Sequence, residues 1–255
     1  GYTAAALSFA LRELPVPVIM VGSQRSSDRP SSDAPLNLMS AVAAATYAPF
    51  AEVTVAMHAS TSDDAVVVHR GTKVRKCHTS SRDAFKSINA KPIASIRDGK
   101  VEMLTQDFKP RNPRRSIVVK PRFNEKVALI KSYPGLPPAL IDTPVEKGYR
   151  GIILEGTGLG HVSRSLHESL ANATRGGVVV GMTSQCLWGR TGMTVYDTGR
   201  DLLNIGVLPL DDILPETALV KLMWTLGQTA DVEEVKRIML SNLAGEFSEK
   251  TTYQP

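Results

Sequence analysis

A short stretch, residues 69–85, brings a lysine, a cysteine and several hydroxyl side chains close together in the chain. The residues at 72–77 favour a strand. Because side chains alternate along a strand, Lys76 shares a face with Val74, whereas Cys77 points to the opposite face. A neighbouring ammonium would activate a thiol, but the opposite faces argue against that pairing. Lys76 is then either an ordinary surface cation or a desolvated, functional amine.

Three polar turns follow predicted strands, at 22–25, 155–160 and 183–185. The carboxyl ends of strands are where open α/β sheets place their ligands. The glycine spacing of 155–160 does not match the dinucleotide pattern, and no acidic residue follows at the required distance. The turns therefore predict a small polar substrate at these strand ends rather than a nucleotide.

The composition excludes several classes of protein. The chain has 255 residues, a net charge of +5 and only two cysteines, Cys77 and Cys186. So few cysteines argue against a disulfide scaffold and fit a reducing cytoplasm. We find no apolar run long enough to span a membrane and no signal peptide, so we expect a cytoplasmic protein without membrane contact. The histidines are scattered and show no metal-ligand spacing, so most are expected to be surface or structural residues.

Positive charge is concentrated in the proline-containing segment 109–126, opposed by the single acid Glu125. Two interpretations stay open. The segment is either a solvated linker between two domains or a contact for the phosphate backbone of a nucleic acid. The cations are Lys109, Arg111, Arg114, Arg115, Lys120, Arg122 and Lys126.

Alternating strands and helices surround these residues and predict an α/β fold. Before the basic segment, we expect helices at 2–13 and 35–47, the second capped by Asp33 or Ser32. Strands are predicted at 16–21, 52–57, 64–69, 72–77, 93–97 and 100–104. The last four should form two hairpins, one around Arg70-Gly71 and one through Asp98-Gly99. The run 79–83 offers helix N-cap residues.

After the basic segment, the pattern restarts. Strands are predicted at 127–130, 151–154, 178–182 and 207–208, and helices at 136–147, 163–175, 199–205, 215–228 and 232–243. The sequence therefore predicts two units. We place a first domain at 1–108, the basic linker at 109–126 and a smaller α/β domain at 127–255.

Several segments of this sequence, in order, resemble the asparaginase-like amidohydrolase family. Residues 21–34 resemble the turn that lines the amide-substrate pocket, and 74–89 the lysine-bearing segment. Residues 214–224 and 242–246 resemble the carboxyl end of the family. The segments 21–34, 182–190 and 214–246 are similar to the archaeal branch that acts in tRNA-dependent amidation.

The resemblance implies a fold and a chemistry. The fold is a two-domain α/β asparaginase-like architecture, with a parallel-rich sheet in each domain and flanking helices. Family members hydrolyse a side-chain amide through a threonine nucleophile, assisted by a second threonine, an aspartate and a lysine. Lys76 stands at the position of that lysine. Gly22, Ser23 and Gln24 stand at the substrate-binding turn.

The sequence departs from the family at its beginning. The family's nucleophilic threonine and its Thr-Asp pair precede the segment that resembles Gly1-Tyr2-Thr3. The first predicted helix also lacks a start signal. We therefore expect the first domain to be incomplete, residues to be missing upstream, and the isolated chain to be inactive.

By the same resemblance, the expected function is release of ammonia from glutamine or asparagine for conversion of Glu-tRNA(Gln) to Gln-tRNA(Gln). The expected partners are a homologue of the amidotransferase E subunit, a second copy of the chain, and tRNA(Gln) mainly through the partner. No cofactor is expected in this chain, since ATP and Mg²⁺ belong to that partner. The alternatives are a free-standing L-asparaginase fragment or a non-catalytic scaffold that binds a partner or tRNA.

Overall fold

The structure, a computed structural model, describes residues 1–250 and consists of two compact units. The first unit comprises Gly1–Lys120, and the second begins at Pro121. This division falls inside the segment 109–126, between the domain limits that the sequence predicts. Within the described residues, none of the helices combines the length and apolar character needed to cross a membrane.

The first unit contains a five-stranded sheet with a helix on each face. The strands of this unit are β1 (Leu11–Arg12), β2 (Val18–Val21), β3 (Val53–His58), β4 (Val66–Arg70), β5 (Val74–Lys76), β6 (Phe85–Ser87), β7 (Ala94–Arg97), β8 (Lys100–Met103) and β9 (Val118–Val119). The helices are α1 (Tyr2–Ala10) and α2 (Ala34–Tyr47). The large sheet has the order β2-β3-β4-β7-β8. Ala41 and Ala44 of α2 pack on one face and Ala4 of α1 on the other.

This sheet is mixed. The strands β2 and β3 are parallel, whereas the three other pairings described in the sheet are antiparallel. The prediction of a parallel-rich sheet is therefore wrong for this unit. The connections from β3 to β4 and from β7 to β8 are too short for the crossover that parallel strands require. The strand β2 lies at the sheet edge and is half-buried, not enclosed on both faces.

The lysine-bearing stretch folds differently from the prediction. The strand β4 pairs with β3 and β7, whereas β5 pairs with β6 in a separate two-stranded sheet. The hairpin around Arg70-Gly71 and the helix start at 79–83 are therefore wrong. A Cβ at Gly71 would lie 2.8 Å from the carbonyl oxygen of Val53, so this glycine permits close chain approach.

The second predicted hairpin is confirmed. The strands β7 and β8 are antiparallel and are joined by Asp98 and Gly99, with φ values of 50° and 72°. Two consecutive positive φ values are the signature of the tight turn that an Asp-Gly pair favours.

Much of the basic segment is built into the first unit. The guanidinium of Arg111 donates hydrogen bonds to the carbonyl oxygens of Ala45, Thr46 and Ala48, at the end of α2. Arg115 donates to the carbonyl oxygen of Leu14, and β9 pairs with β1. These two arginines hold protein backbone rather than presenting free charges to a nucleic acid.

The second unit is a three-layer α/β domain. Its strands are β10 (Val127–Lys131), β11 (Gly151–Gly156), β12 (Val179–Ser184) and β13 (Leu208–Pro209), which pair in that order and all in parallel. Its helices are α3 (Ala139–Glu146), α4 (His167–Arg175), α5 (Asp197–Ile205), α6 (Pro215–Gln228) and α7 (Val232–Met239). A short 3-10 helix, Arg164–Leu166, precedes α4. One core layer lies against α3, α4 and α5, and the other against α6 and α7. The predicted parallel sheet is confirmed in this unit.

Candidate functional site

The parallel pairing of β2 and β3 brings two loops to one edge of the first sheet. Val21 is in register with Ala56, so the turn 22–25 and the loop 59–64 leave the sheet on the same side. This is the edge at which an open sheet presents ligand-binding loops.

The carboxylate of Asp33 organises the turn 22–25. The backbone amides of Gln24 and Arg25 donate to it at 2.9–3.1 Å. Asp33 is fully buried. Burial by itself would raise the pKa of Asp33, but the amide hydrogen bonds outweigh it and hold the pKa below its ordinary value. Asp33 precedes α2 as predicted, yet its side chain fixes the turn, and Ser32 Oγ instead accepts from the amide of Ala34.

Asn37, on the first turn of α2, holds the other side of the same turn. Its Nδ2 donates to the carbonyl oxygen of Gly22 at 2.9 Å and to Asp33 at 3.1 Å. The peptide groups that flank Ser23 are thus fixed by two buried side chains. Ser23 itself is exposed, and within residues 1–250 its own amide and carbonyl form no hydrogen bond.

His58 extends the network to a second loop. The imidazole is fully buried at the end of β3. Its Nδ1 lies 2.6 Å from Asn37 Oδ1, and its Nε2 lies 3.0 Å from Asp63 Oδ1. The hydrogen bond from His58 is the largest cause of a lowered pKa at Asp63, and Arg82 adds to it.

Arg82 connects the segment that carries Lys76. Its Nη1 donates to Asp63 at 2.6 Å, and its Nη2 donates to the carbonyl oxygen of Ser31. The loop between β5 and β6 is therefore fastened both to the loop after β3 and to the loop 22–33. A chain of hydrogen bonds joins the predicted substrate turn to the predicted catalytic segment.

Lys76 lies at the end of β5 with its side chain exposed. Its backbone pairs with Phe85, and its ammonium forms no ion pair or hydrogen bond with another residue of 1–250.

The neighbours of Lys76 differ from it in exposure or contacts. Lys73, three residues earlier, is fully buried by contrast. The neighbouring Cys77 is exposed, and its amide donates to Ala84 at 2.6 Å. The amine of Lys76 is therefore accessible to solvent at this loop. Its assignment as the catalytic lysine stays a prediction.

In the second unit, the two predicted polar turns lie side by side after β11 and β12. The amide of Gln185 donates to Gly156 at 2.8 Å, and its Nε2 donates to Glu155 at 2.9 Å. Ser184 Oγ donates to Gly158 at 2.6 Å. These side chains fix the glycine turn, which explains their polarity without a bound ligand.

The side chains that build the network are not among those predicted from the sequence, namely Asn37, His58, Asp63 and Arg82. The histidines are expected to be mostly surface or structural residues, and nothing in their spacing distinguishes His58 from the others. Among the described residues, no group of three or more His, Cys, Asp or Glu side chains could hold a metal ion.

Comparison with known proteins identifies the class. Residues 1–109 match the family model described as "Asparaginase, N-terminal", and residues 126–239 match "Glutaminase/Asparaginase C-terminal domain". The thermostable L-asparaginase from Thermococcus kodakarensis superposes with a TM-score of 0.88 at 36% identity, covering 98% of this chain and 73% of that one. L-asparaginase I from Vibrio cholerae gives 0.86 at 33% identity, covering 97% and 73%. The chain belongs to the asparaginase family, and the predicted two-domain asparaginase-like fold is confirmed.

Within that family, the chain is similar to one particular component of an enzyme, the D subunit of glutamyl-tRNA(Gln) amidotransferase. It is 57% identical over 252 residues to the D subunit of Pyrococcus furiosus, covering 98% of this chain and 57% of the relative. The D subunit of Metallosphaera sedula is 56% identical over 250 residues, covering 97% and 56%. The resemblance seen in the sequence is confirmed. The chain spans little more than half the length of these relatives.

Proposed function

We propose that this chain supplies part of a glutaminase-type amidotransferase D subunit, which releases ammonia from the side-chain amide of glutamine or asparagine. The partner E subunit would activate Glu-tRNA(Gln) with ATP, and the ammonia would then displace the activating group to give Gln-tRNA(Gln). The observation that carries the proposal is the identity of 51–57% to the D-subunit relatives along 97–99% of the chain. Identity to the L-asparaginases from Thermococcus kodakarensis and Vibrio cholerae is lower, at 36% and 33%.

The geometry of the first unit supports roles for the predicted residues. The turn formed by Gly22, Ser23 and Gln24 is held by Asp33 and Asn37, so its peptide groups are fixed before a substrate arrives. Fixed peptide dipoles are what binding and polarising an amide require. The exposed amine of Lys76 is free to transfer protons.

We propose further that a protein made of these 255 residues alone has no glutaminase activity. The threonine nucleophile and the Thr-Asp pair that the family resemblance implies have no counterpart in this sequence. Lys76 alone cannot form the covalent acyl intermediate of this chemistry.

The test is ammonia release from glutamine and from asparagine, measured for the 255-residue protein and again after co-expression with the amino-terminal part of the Pyrococcus furiosus relative. We expect turnover only in the co-expressed sample and its loss in Lys76→Met. Robust turnover by the 255 residues alone would overturn the proposed absence of the nucleophile.

The proposed partners are a homologue of the amidotransferase E subunit, which would bind tRNA(Gln), ATP and Mg²⁺, and a second copy of this chain. No cofactor is proposed for the chain itself, and the proposed compartment is the cytoplasm. Co-purification with a tagged E-subunit homologue tests the first partner. Glutamine-dependent amidation of Glu-tRNA(Gln) by the reconstituted complex tests the pathway of the ammonia.

The second candidate is a free-standing L-asparaginase. The fold match to the Thermococcus kodakarensis enzyme favours it, since 98% of this chain superposes. The two functions differ in measurable ways. An asparaginase would prefer asparagine by kcat/KM and would not associate with an E-subunit homologue. Stable association together with glutamine-dependent amidation would exclude it.

A further inference from the structure

We infer that His58 is a positioning residue, whose doubly protonated imidazole fastens the turn 22–25 to the loop that follows Lys76. The structural part of this inference depends only on hydrogen-bond geometry within the first unit. Its consequence for an amide substrate rests on the proposed function.

The orientation of Asn37 determines the proton on Nδ1. Asn37 Nδ2 donates to the carbonyl oxygen of Gly22 and to the carboxylate of Asp33, both of which can only accept. The other end of the carboxamide, Oδ1, therefore faces His58 Nδ1 at 2.6 Å. A carbonyl oxygen cannot donate, so Nδ1 must carry a proton.

Asp63 determines the proton on Nε2. Its Oδ1 lies 3.0 Å from Nε2, and the same oxygen accepts from Arg82 at 2.6 Å. The side chain of Asp63 is largely exposed and beside a guanidinium, which favours its ionised form. An ionised carboxylate only accepts, so Nε2 carries a proton as well. His58 is thus an imidazolium.

A fully buried cation persists only where its charge and its hydrogen bonds are matched. Asp63 supplies the direct counter-charge. Two other charged groups face the site, Asp33 from the start of α2 and Arg82 from the loop between β5 and β6. The formal charges of the two carboxylates, the guanidinium and the imidazolium add up to zero. This balance lowers the free-energy cost of burying the imidazolium.

Loss of one proton would break the connection. A neutral imidazole donates only once, so it can satisfy Asn37 or Asp63 but not both. If Asn37 loses its partner, its hold on Gly22 and Asp33 loosens, and the turn 22–25 gains freedom. If Asp63 loses its partner, Arg82 and the loop after Lys76 are released. Either way, the turn and the lysine-bearing loop are no longer held together.

The first experiment reads the protonation state of His58. The side-chain ¹⁵N shifts of the 255-residue protein are measured by NMR from pH 5 to 9. We expect both ring nitrogens of His58 to carry protons at pH 7. A single protonated nitrogen at pH 7 would overturn the inference.

The second experiment reads the positioning effect by hydrogen exchange. We expect the protection factors of the Gln24 and Arg25 amides to be about five-fold lower in His58→Gln than in the unchanged protein, the equivalent of one lost hydrogen bond. The glutamine amide keeps a polar group at this position but does not reach Asn37 and Asp63 as the two ring nitrogens do. His167→Gln, in the second unit, is the matched control and should behave as the unchanged protein. Equal protection in His58→Gln and the unchanged protein would overturn the inference.

A third variant keeps the test decisive if His58→Gln does not fold. Asp63→Asn keeps an acceptor at an exposed position but removes the counter-charge of the imidazolium, so the protection of the Gln24 and Arg25 amides should fall. Asp64→Asn, at the adjacent exposed acid, should leave this protection unchanged. Because these measurements need no ammonia release, they stand or fall separately from the proposed function. In an active complex, the same variants should raise KM for the amide more than they lower kcat.

Discussion

The ammonium of Lys221 and the carboxylate of Glu246 lie 2.7 Å apart, and neither side chain is exposed. Lys221 also donates to the carbonyl oxygens of Met239 and Ser241, and Glu246 accepts the amides of Leu243 and Ala244. The pair therefore ties α6 to the segment after α7. Both residues belong to the two carboxyl-end segments on which the family resemblance depends, so this part of the resemblance reflects a buried structural connection.

Breaking this pair should destabilise the second unit strongly. Lys221→Met leaves the carboxylate of Glu246 buried without its counter-charge, and we expect a loss of about 3–5 kcal/mol. The measurement is urea unfolding followed by tryptophan fluorescence, since Trp188 and Trp224 both belong to the second unit. Lys236→Met, which removes a partly exposed lysine paired with the exposed Glu233, should change stability by less than about 1 kcal/mol. Equal effects of the two variants would contradict this account.

Asp33 should matter more than its neighbour Asp28 in the same loop. Asp33→Asn replaces a buried carboxylate that accepts two amide hydrogen bonds, and we expect a cost of about 1–3 kcal/mol together with faster exchange at Gln24 and Arg25. Asp28→Asn alters an exposed side chain and should leave both quantities unchanged. Urea unfolding and hydrogen exchange measure them. Normal protection in Asp33→Asn would show that the carboxylate does not hold the turn.

His69 should make stability fall in acid. Burial, with a smaller contribution from Lys86, lowers the pKa of His69 from 6.5 to about 3. Between these values the unfolded chain binds a proton that the folded chain does not, so stability decreases as pH falls from about 6.5 towards 3. The slope from this group approaches about 1.4 kcal/mol per pH unit.

The variant His69→Asn isolates this contribution. Its amide can still reach the hydroxyl of Ser87, which His69 Nδ1 contacts at 2.8 Å, but it does not titrate. Urea midpoints measured from pH 4 to 7 should therefore vary less steeply than in the unchanged protein. His78→Asn, at an exposed histidine, should keep the original slope. Parallel curves for the unchanged protein and His69→Asn would refute the assignment.

Gly71 should not tolerate a side chain. A Cβ there would lie 2.8 Å from the carbonyl oxygen of Val53 and 2.9 Å from Ser8 Oγ. We expect Gly71→Ala to cost about 1–3 kcal/mol, because α1 or β3 would have to shift. Gly22→Ala meets no atom within 4 Å and should fold normally. Thermal unfolding compares the two, and an unchanged midpoint for Gly71→Ala would be inconsistent with the close approach.

Lys76 should affect chemistry but not folding. Its side chain is exposed, so Lys76→Met should change stability by no more than about 0.5 kcal/mol. In the co-expressed, active sample, the same variant should reduce ammonia release by at least about 100-fold, as expected for loss of a proton-transferring group. Lys91→Met, another exposed lysine of the first unit, should change neither. Full activity in Lys76→Met would remove Lys76 from the mechanism.

The sequence predicted the second unit more fully than the first. Its strands and helices alternate with clear apolar runs, and its parallel pairing follows from connections long enough for crossovers. In the first unit, Asp98-Gly99 identified a hairpin correctly because both residues accept positive φ. Arg70-Gly71 did not, because the glycine there serves a contact between elements far apart in the chain.

By itself, the sequence determined the family, the two-part α/β organisation, the turn at 22–25 and the choice of Lys76 as the candidate lysine. These depend on local patterns and on short motifs. Only the tertiary structure decided that Asp33 binds the turn rather than the helix end, and that His58 joins Asn37 to Asp63. The partners of His58 are 21 and 5 residues away along the chain, and only the pairing of β2 with β3 and the packing of α2 bring them together.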